Sequence, residues 1–116
     1  MPLDRLAAAA DLIQGTASGH AHPRAAAFLL RRALEEHLAA YIAAHEPAMA
    51  SCRVETKAVW LAHRLSPHLA GRFAALWHNL SGACHYHQCA LPPTLAELRS
   101  WHEDAAFVLR AVPIRP

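Results

Sequence analysis

Apolar residues recur along this chain at intervals of three and four rather than two, the spacing that gathers them on one side of an α-helix. Five such stretches can be drawn. A short one covers about residues 3–14. The most regular is "PRAAAFLLRRALEEHLAAYIAAHE" (23–46), whose stripe holds Ala26, Leu30, Ala33, Leu34 and Tyr41. Arg31 with Glu35 and Arg32 with Glu36 form i,i+4 pairs placed on its wet side, and Pro47 marks its stop. A third stretch starts near Ser51 and carries Val54, Ala58, Leu61 and Leu65. Ser66-Pro67 reads as an N-cap followed by proline at the first helical position, which opens the fourth; Pro92-Pro93 ends or follows it. Thr94-Leu-Ala-Glu97 is a capping-box sequence opening the fifth, which runs to about Val112. The segment "GTASGHAHP" (15–23) is a loop. There are no internal repeats. Short connections between amphipathic helices favour antiparallel neighbours. The expectation is an all-α, single-domain chain over 1–116: an up-down antiparallel bundle of four main helices plus a short N-terminal helix.

Composition agrees with helix and narrows little else. Apolar residues make up 54% of the 116 positions, yet mean hydropathy is only +0.09, because much of that share is alanine, the best helix former. The formal charge of +2 carries no strong polyanion signature. Ten histidines qualify this, since imidazole with its ordinary pKa of about 6.5 turns cationic on mild acidification. Three cysteines without framework spacing fit a reducing cytosol better than a disulfide scaffold. The N-terminal "MPLDRLAAAADLIQ" has charges at Asp4, Arg5 and Asp11 and reads as neither a signal peptide nor a membrane span.

The chemistry-bearing residues crowd into "LWHNLSGACHYHQCALPPT" (76–94). Stepping about 100° per residue divides them. Leu69, Phe73, Leu76, Leu80, Ala83, Cys84 and His87 share a core side. Gly71, Ala74, Ala75, His78, Ser81, Gly82 and His85 share the opposite side, with Cys89 if the helix extends so far. Four ligands therefore do not converge while the segment stays helical, and the spacing matches no zinc finger or ribbon. Zinc remains a fallback through Cys84, His85, His87 and Cys89, should the last turn unwind before Pro92. The opposite face has two readings: an ordinary alanine-rich solvent face, or a surface where a second helix approaches closely. In the second, a two-fold dimer would meet along Gly71, Ala74, Ser81 and Gly82, with His78 and His85 near the seam.

Three histidines fall within apolar stripes: His37, His87 and His102. They are read as buried neutral imidazoles satisfied by hydrogen bonds, because burial without a partner is costly. His20, His22, His45, His63 and His68 read as loop or surface residues. A di-metal bundle centre would need Glu-x-x-His motifs, which the sequence lacks; P-loop, Gly-x-Ser-x-Gly, Gly-x-Gly-x-x-Gly and His-Glu-x-x-His patterns are also absent. Cys89 with His85 could form a nucleophile pair, but a helix C-terminus raises a thiol pKa, which makes a poor site.

"RAAAFLLRRALEEHL" followed by a helix containing "WHNLSGACH" resembles the HEPN superfamily (higher eukaryotes and prokaryotes nucleotide-binding) over about residues 23–112. The segment is also similar to small, functionally uncharacterised helical proteins of high-GC bacteria with a Trp-x-x-Leu-Ser-x-x-Cys-His-x-His…Pro-Thr pattern. The resemblance implies a helical bundle, often dimeric, and for many members metal-independent RNA cleavage in toxin–antitoxin and defence systems. The superfamily motif is an arginine, a polar residue and a histidine four to six positions after the arginine. Here His78-Asn79 with His85 keeps the polar residue and the final histidine, with histidine standing for the arginine; Arg72 with His78 keeps the spacing, but Phe73 follows the arginine. What the resemblance implies is His85 as main acid/base, His78 as its partner, Asn79 as hydrogen-bond donor and Arg72 as the phosphate-neutralising cation, without a cofactor. The competing expectation is a catalytically silent module whose small-residue face docks a partner or a second copy.

Overall fold

The computed structural model describes residues 2–15, 22–84 and 91–113. These are all-helical: α1 (Pro2–Gln14), α2 (Pro23–His45), α3 (Val54–Arg64), α4 (Pro67–Cys84) and α5 (Leu95–Ala111), with one 3₁₀ turn at Pro47–Ser51. Among the described residues there is no strand, and no helix is long and apolar enough to cross a membrane.

Local chemistry sets most boundaries. Pro23 occupies the first turn of α2, where a missing N–H costs nothing. Ser66 Oγ accepts a 3.0 Å hydrogen bond from the Leu69 N–H, capping α4 as its sequence implies. At α5 both arms of the capping box form: Thr94 Oγ1 accepts from the Glu97 N–H at 3.1 Å, and Glu97 Oε1 accepts from the Thr94 N–H at 3.0 Å. One boundary differs from expectation. Helix α3 begins at Val54 rather than near Ser51, because the 3₁₀ turn occupies Pro47–Ser51 and Cys52 and Arg53 are extended or bent before the helix starts.

Helix α2 is the hub. It packs on α1, α4, α5 and the 3₁₀ turn, while α3 packs on α4, and α4 and α1 each pack on α5. Its buried residues are Ala26, Ala27, Leu30, Ala33, Leu34, Leu38, Tyr41 and Ile42. Phe73, Leu76 and Leu80 of α4, Leu98 of α5 and Leu61 of α3 complete the centre. Each large apolar side chain of this kind contributes about 1.5–3 kcal/mol on burial. Alanine serves packing as well as helix propensity: Ala9, Ala26, Ala27, Ala33 and Ala105 have no exposed surface, and side chains this small let helix axes approach closely.

Two of the histidines expected inside the core, His37 and His102, are hydrogen-bonded as expected but sit at its edge rather than buried in it. His37 and His102 are half-buried. His37 Nε2–H donates to the Val112 carbonyl at 2.6 Å and His102 Nε2–H donates to the Leu6 carbonyl at 3.0 Å. Since a carbonyl can only accept, Nε2 carries the hydrogen in each bond. The two imidazoles thereby tie α2 to the end of α5, and α5 to α1. His87 lies outside the described residues.

The α2 ion pairs form, on a drier side than expected. Arg31 lies 3.5 Å from Glu35 and Arg32 lies 3.8 Å from Glu36. The Arg31 guanidinium also sits 4.7 Å from the Trp77 ring centre of α4, so this flank of α2 is covered. Arg5 of α1 adds an ion pair to Glu36.

Candidate interaction face on helix α4

Helix α4 divides as the angular reading predicts. Leu69, Phe73, Leu76 and Leu80 are buried, and Ala83 and Cys84 are packed at the core edge. On the other side Gly71, Ala74, Ala75, His78 and Gly82 are all exposed. Among the described residues, a methyl group built at Gly71 or Gly82 would meet nothing within 4 Å. These glycines thus make no close packing against the described residues. The result is a shallow strip of backbone, several turns long, with one imidazole at its centre.

Ser81 departs from that face. It is half-buried, and its Oγ is buried with no hydrogen-bond partner among the described residues. The reason is angular. Ser81 sits about 100° around the helix from Leu80, on the flank shared with Ala70, which is only 6% exposed. The seam expected through Gly71, Ala74, Ser81 and Gly82 therefore keeps its two glycines and Ala74 and loses the serine hydroxyl.

The expected catalytic residues have separate placements. His78 and Asn79 are exposed and line one side of a cavity of about 390 Å³, with Gly82, Pro92, Glu97 and Trp101 also contributing. Glu97 puts a carboxylate in that wall and holds it there through the α5 cap. Arg72 is on another flank and is committed: its Nη2 donates to Asp104 Oδ1 at 2.7 Å, and its guanidinium carbon lies 3.8 Å from the Phe107 ring centre. The phosphate-neutralising role expected for Arg72 would require breaking that ion pair and lifting the guanidinium off the ring. His85 lies outside the described residues.

Of the fallback zinc set, His85, His87 and Cys89 also lie outside the described residues. Cys84 is half-buried beside Arg31; burial pushes its thiol pKa up, partly offset by the charge and hydrogen bond of Arg31. Among the described residues no three His, Cys, Asp or Glu side chains gather in a way that could hold a metal ion. The carbonyl of Ala83 accepts from Arg24 Nη1 at 3.2 Å, so an α2 side chain satisfies the last turn of α4.

A second cluster escaped the sequence reading. Tyr41, assigned only to the α2 stripe, and His45, assigned only to the surface, face Trp60 and Arg64 of α3. Arg64 Nε donates to the Tyr41 hydroxyl at 3.0 Å, and Arg64 Nη2 donates to His45 Nδ1 at 2.8 Å. The signal was present as two i,i+4 pairs, Tyr41/His45 and Trp60/Arg64, each a ring beside a nitrogen-bearing group on one helix face. What the sequence could not show was that the two faces meet.

No protein-family model, no curated protein and no solved structure matches the chain.

Proposed function

We propose that the chain is a HEPN-like helical module that pairs with a second copy through the small-residue face of α4 and engages RNA beside that seam, in the cytosol, as part of a toxin or defence system. The observation that carries this reading is the exposed strip of Gly71, Ala74, Ala75, His78 and Gly82. Glycine and alanine let two helix backbones come close, and a two-fold axis through the strip would set His78 of one copy near its mate. In this reading the four longer helices run up and down as an antiparallel bundle with α1 laid against it.

The chemistry would follow from histidine. Cleaving RNA without a metal needs a base for the 2′-hydroxyl, an acid for the leaving oxygen and a cation for the developing charge. Imidazole suits both proton transfers, each contributing about 10²–10⁴-fold. His85 would be the principal acid/base and His78 its partner, with Asn79 donating a hydrogen bond. A second reading is favoured by the state of Arg72. Its pairing with Asp104 and stacking on Phe107 leave the site without its cation. A module that docks RNA or a protein partner without cutting needs no such cation.

Incubating the protein with labelled single-stranded RNA at low salt in EDTA tests both. Cleavage that is lost in His85→Ala and reduced in His78→Ala supports the enzyme. Retention of intact RNA supports the binding module. Neither retention nor cleavage contradicts a role with RNA and leaves the protein-docking form of the second reading.

A further inference from the structure

The second cluster is a built recess at the C-terminal ends of two helices. His45 is the last residue of α2 and Arg64 the last of α3. A cavity of about 500 Å³ opens there, lined by Tyr41, Trp60, His63, Arg64 and Leu65, within the size range of small-ligand sites. Its floor is rigid. Tyr41 is 3% exposed, its ring lies 5.7 Å from the Trp60 ring, and the Arg64 guanidinium carbon sits 5.9 Å and 5.6 Å from the two ring centres.

Charge in the recess is unbalanced. Arg5, Arg31, Arg32 and Arg72 all pair with carboxylates. Arg64 forms no ion pair among the described residues; its protein partners are the Tyr41 hydroxyl and the His45 ring. Arginine is donor-only, so His45 Nδ1 accepts, and its proton sits on Nε2. Of the five guanidinium N–H groups, two are used, which leaves three for a ligand. His63 lines the same recess and is exposed. The negative ends of α2 and α3 favour cationic side chains here. That effect is weaker than a hydrogen bond to a charged group, so it holds the cation in place without excluding an anion.

We infer that this recess binds a planar aromatic ring carrying a phosphate, the chemistry of a nucleoside monophosphate. Arg64 and His63 take the phosphate oxygens, and the half-buried Trp60 indole gives the ring a stacking surface. The site uses α2 and α3 and none of the residues of the α4 strip, so it stands whether or not the α4 reading holds.

Titration of the full chain with AMP, inorganic phosphate and adenosine, followed by the NMR signal of the Trp60 indole N–H, tests it. Trp60→Phe assigns that signal among the three tryptophans. The expected result is saturable AMP binding that moves the Trp60 signal and is about tenfold tighter than phosphate or adenosine alone. Arg64→Gln weakens AMP roughly 10- to 100-fold, matching loss of a charge-assisted hydrogen bond. Trp60→Leu weakens AMP about tenfold and leaves phosphate unchanged, matching the loss of one base stack. Because Arg64→Gln also removes a partner from a buried tyrosine, His63→Ala is the companion variant; it alters an exposed side chain and is expected to weaken AMP several-fold with an unchanged thermal midpoint. No shift at Trp60 with millimolar AMP, equal affinity for AMP and phosphate, or AMP binding indifferent to Arg64→Gln and His63→Ala would overturn the assignment.

Discussion

Arg72 and Cys84 lie on opposite flanks of the same α4 core stripe, and their surroundings give them different chemistry. Arg72 is about a third exposed, as is Asp104, so their ion pair alone is worth about 0.5–1 kcal/mol after solvent screening. The Phe107 ring at 3.8 Å adds a cation–π contact of about 0.5–1 kcal/mol. Arg72→Ala is therefore expected to lower unfolding free energy by about 1–2 kcal/mol, and Asp104→Ala by roughly half of that. Urea unfolding of the two variants measures it; equal losses would mean that the ring contact contributes nothing. Cys84 is held protonated by burial, with Arg31 opposing. A raised folded-state pKa means that stability from this group is present below the unfolded thiol pKa, and is lost as pH rises through the folded value. It also means less thiolate at mildly alkaline pH. Iodoacetamide at pH 8 should label Cys84 several-fold more slowly than an unstructured cysteine peptide; labelling at the peptide rate would show that the thiol is not shielded.

The elements were legible wherever their cause was local. Pro23, Ser66-Pro67 and the Thr94–Glu97 box mark helix starts because each acts through the backbone within three residues of itself, and the structure forms the two caps as read. Thr94→Ala is expected to cost about 1 kcal/mol, visible in thermal unfolding, while Thr94→Ser keeps most of it; a silent Thr94→Ala would mean that the α5 start is held by packing alone. The start of α3 was misplaced for the complementary reason. No side chain caps it, and the 3₁₀ turn ahead of it packs on α2, a tertiary cause that no local pattern carries. The same limit hid the chemistry. The angular reading found the exposed strip of α4 because one helix suffices to define it. It could not find Asp104 under Arg72, or the Trp60–Arg64 pair against Tyr41 and His45, since those contacts join residues 32 and 23 apart.

At the scale of the whole molecule, the chain distributes its polar groups unevenly. Four arginines are neutralised by carboxylates on α2 and α5. Among the described residues, the α4 strip carries glycine, alanine and one exposed histidine. A surface with neither charge to keep it apart from a neighbour nor bulk to hold a backbone away suits close pairing of two helices. Both functional readings use that face, with or without RNA cleavage. Ala74 is exposed at its centre, so Ala74→Arg adds charge and bulk to the strip without disturbing the core. Sedimentation equilibrium of the wild-type chain and of Ala74→Arg tests the central claim most directly. The expected result is a wild-type mass of twice the 12.7 kDa chain and a monomeric Ala74→Arg with an unchanged helical spectrum. A wild-type monomer, or an Ala74→Arg dimer as tight as wild type, would contradict the claim that this face is where the protein pairs.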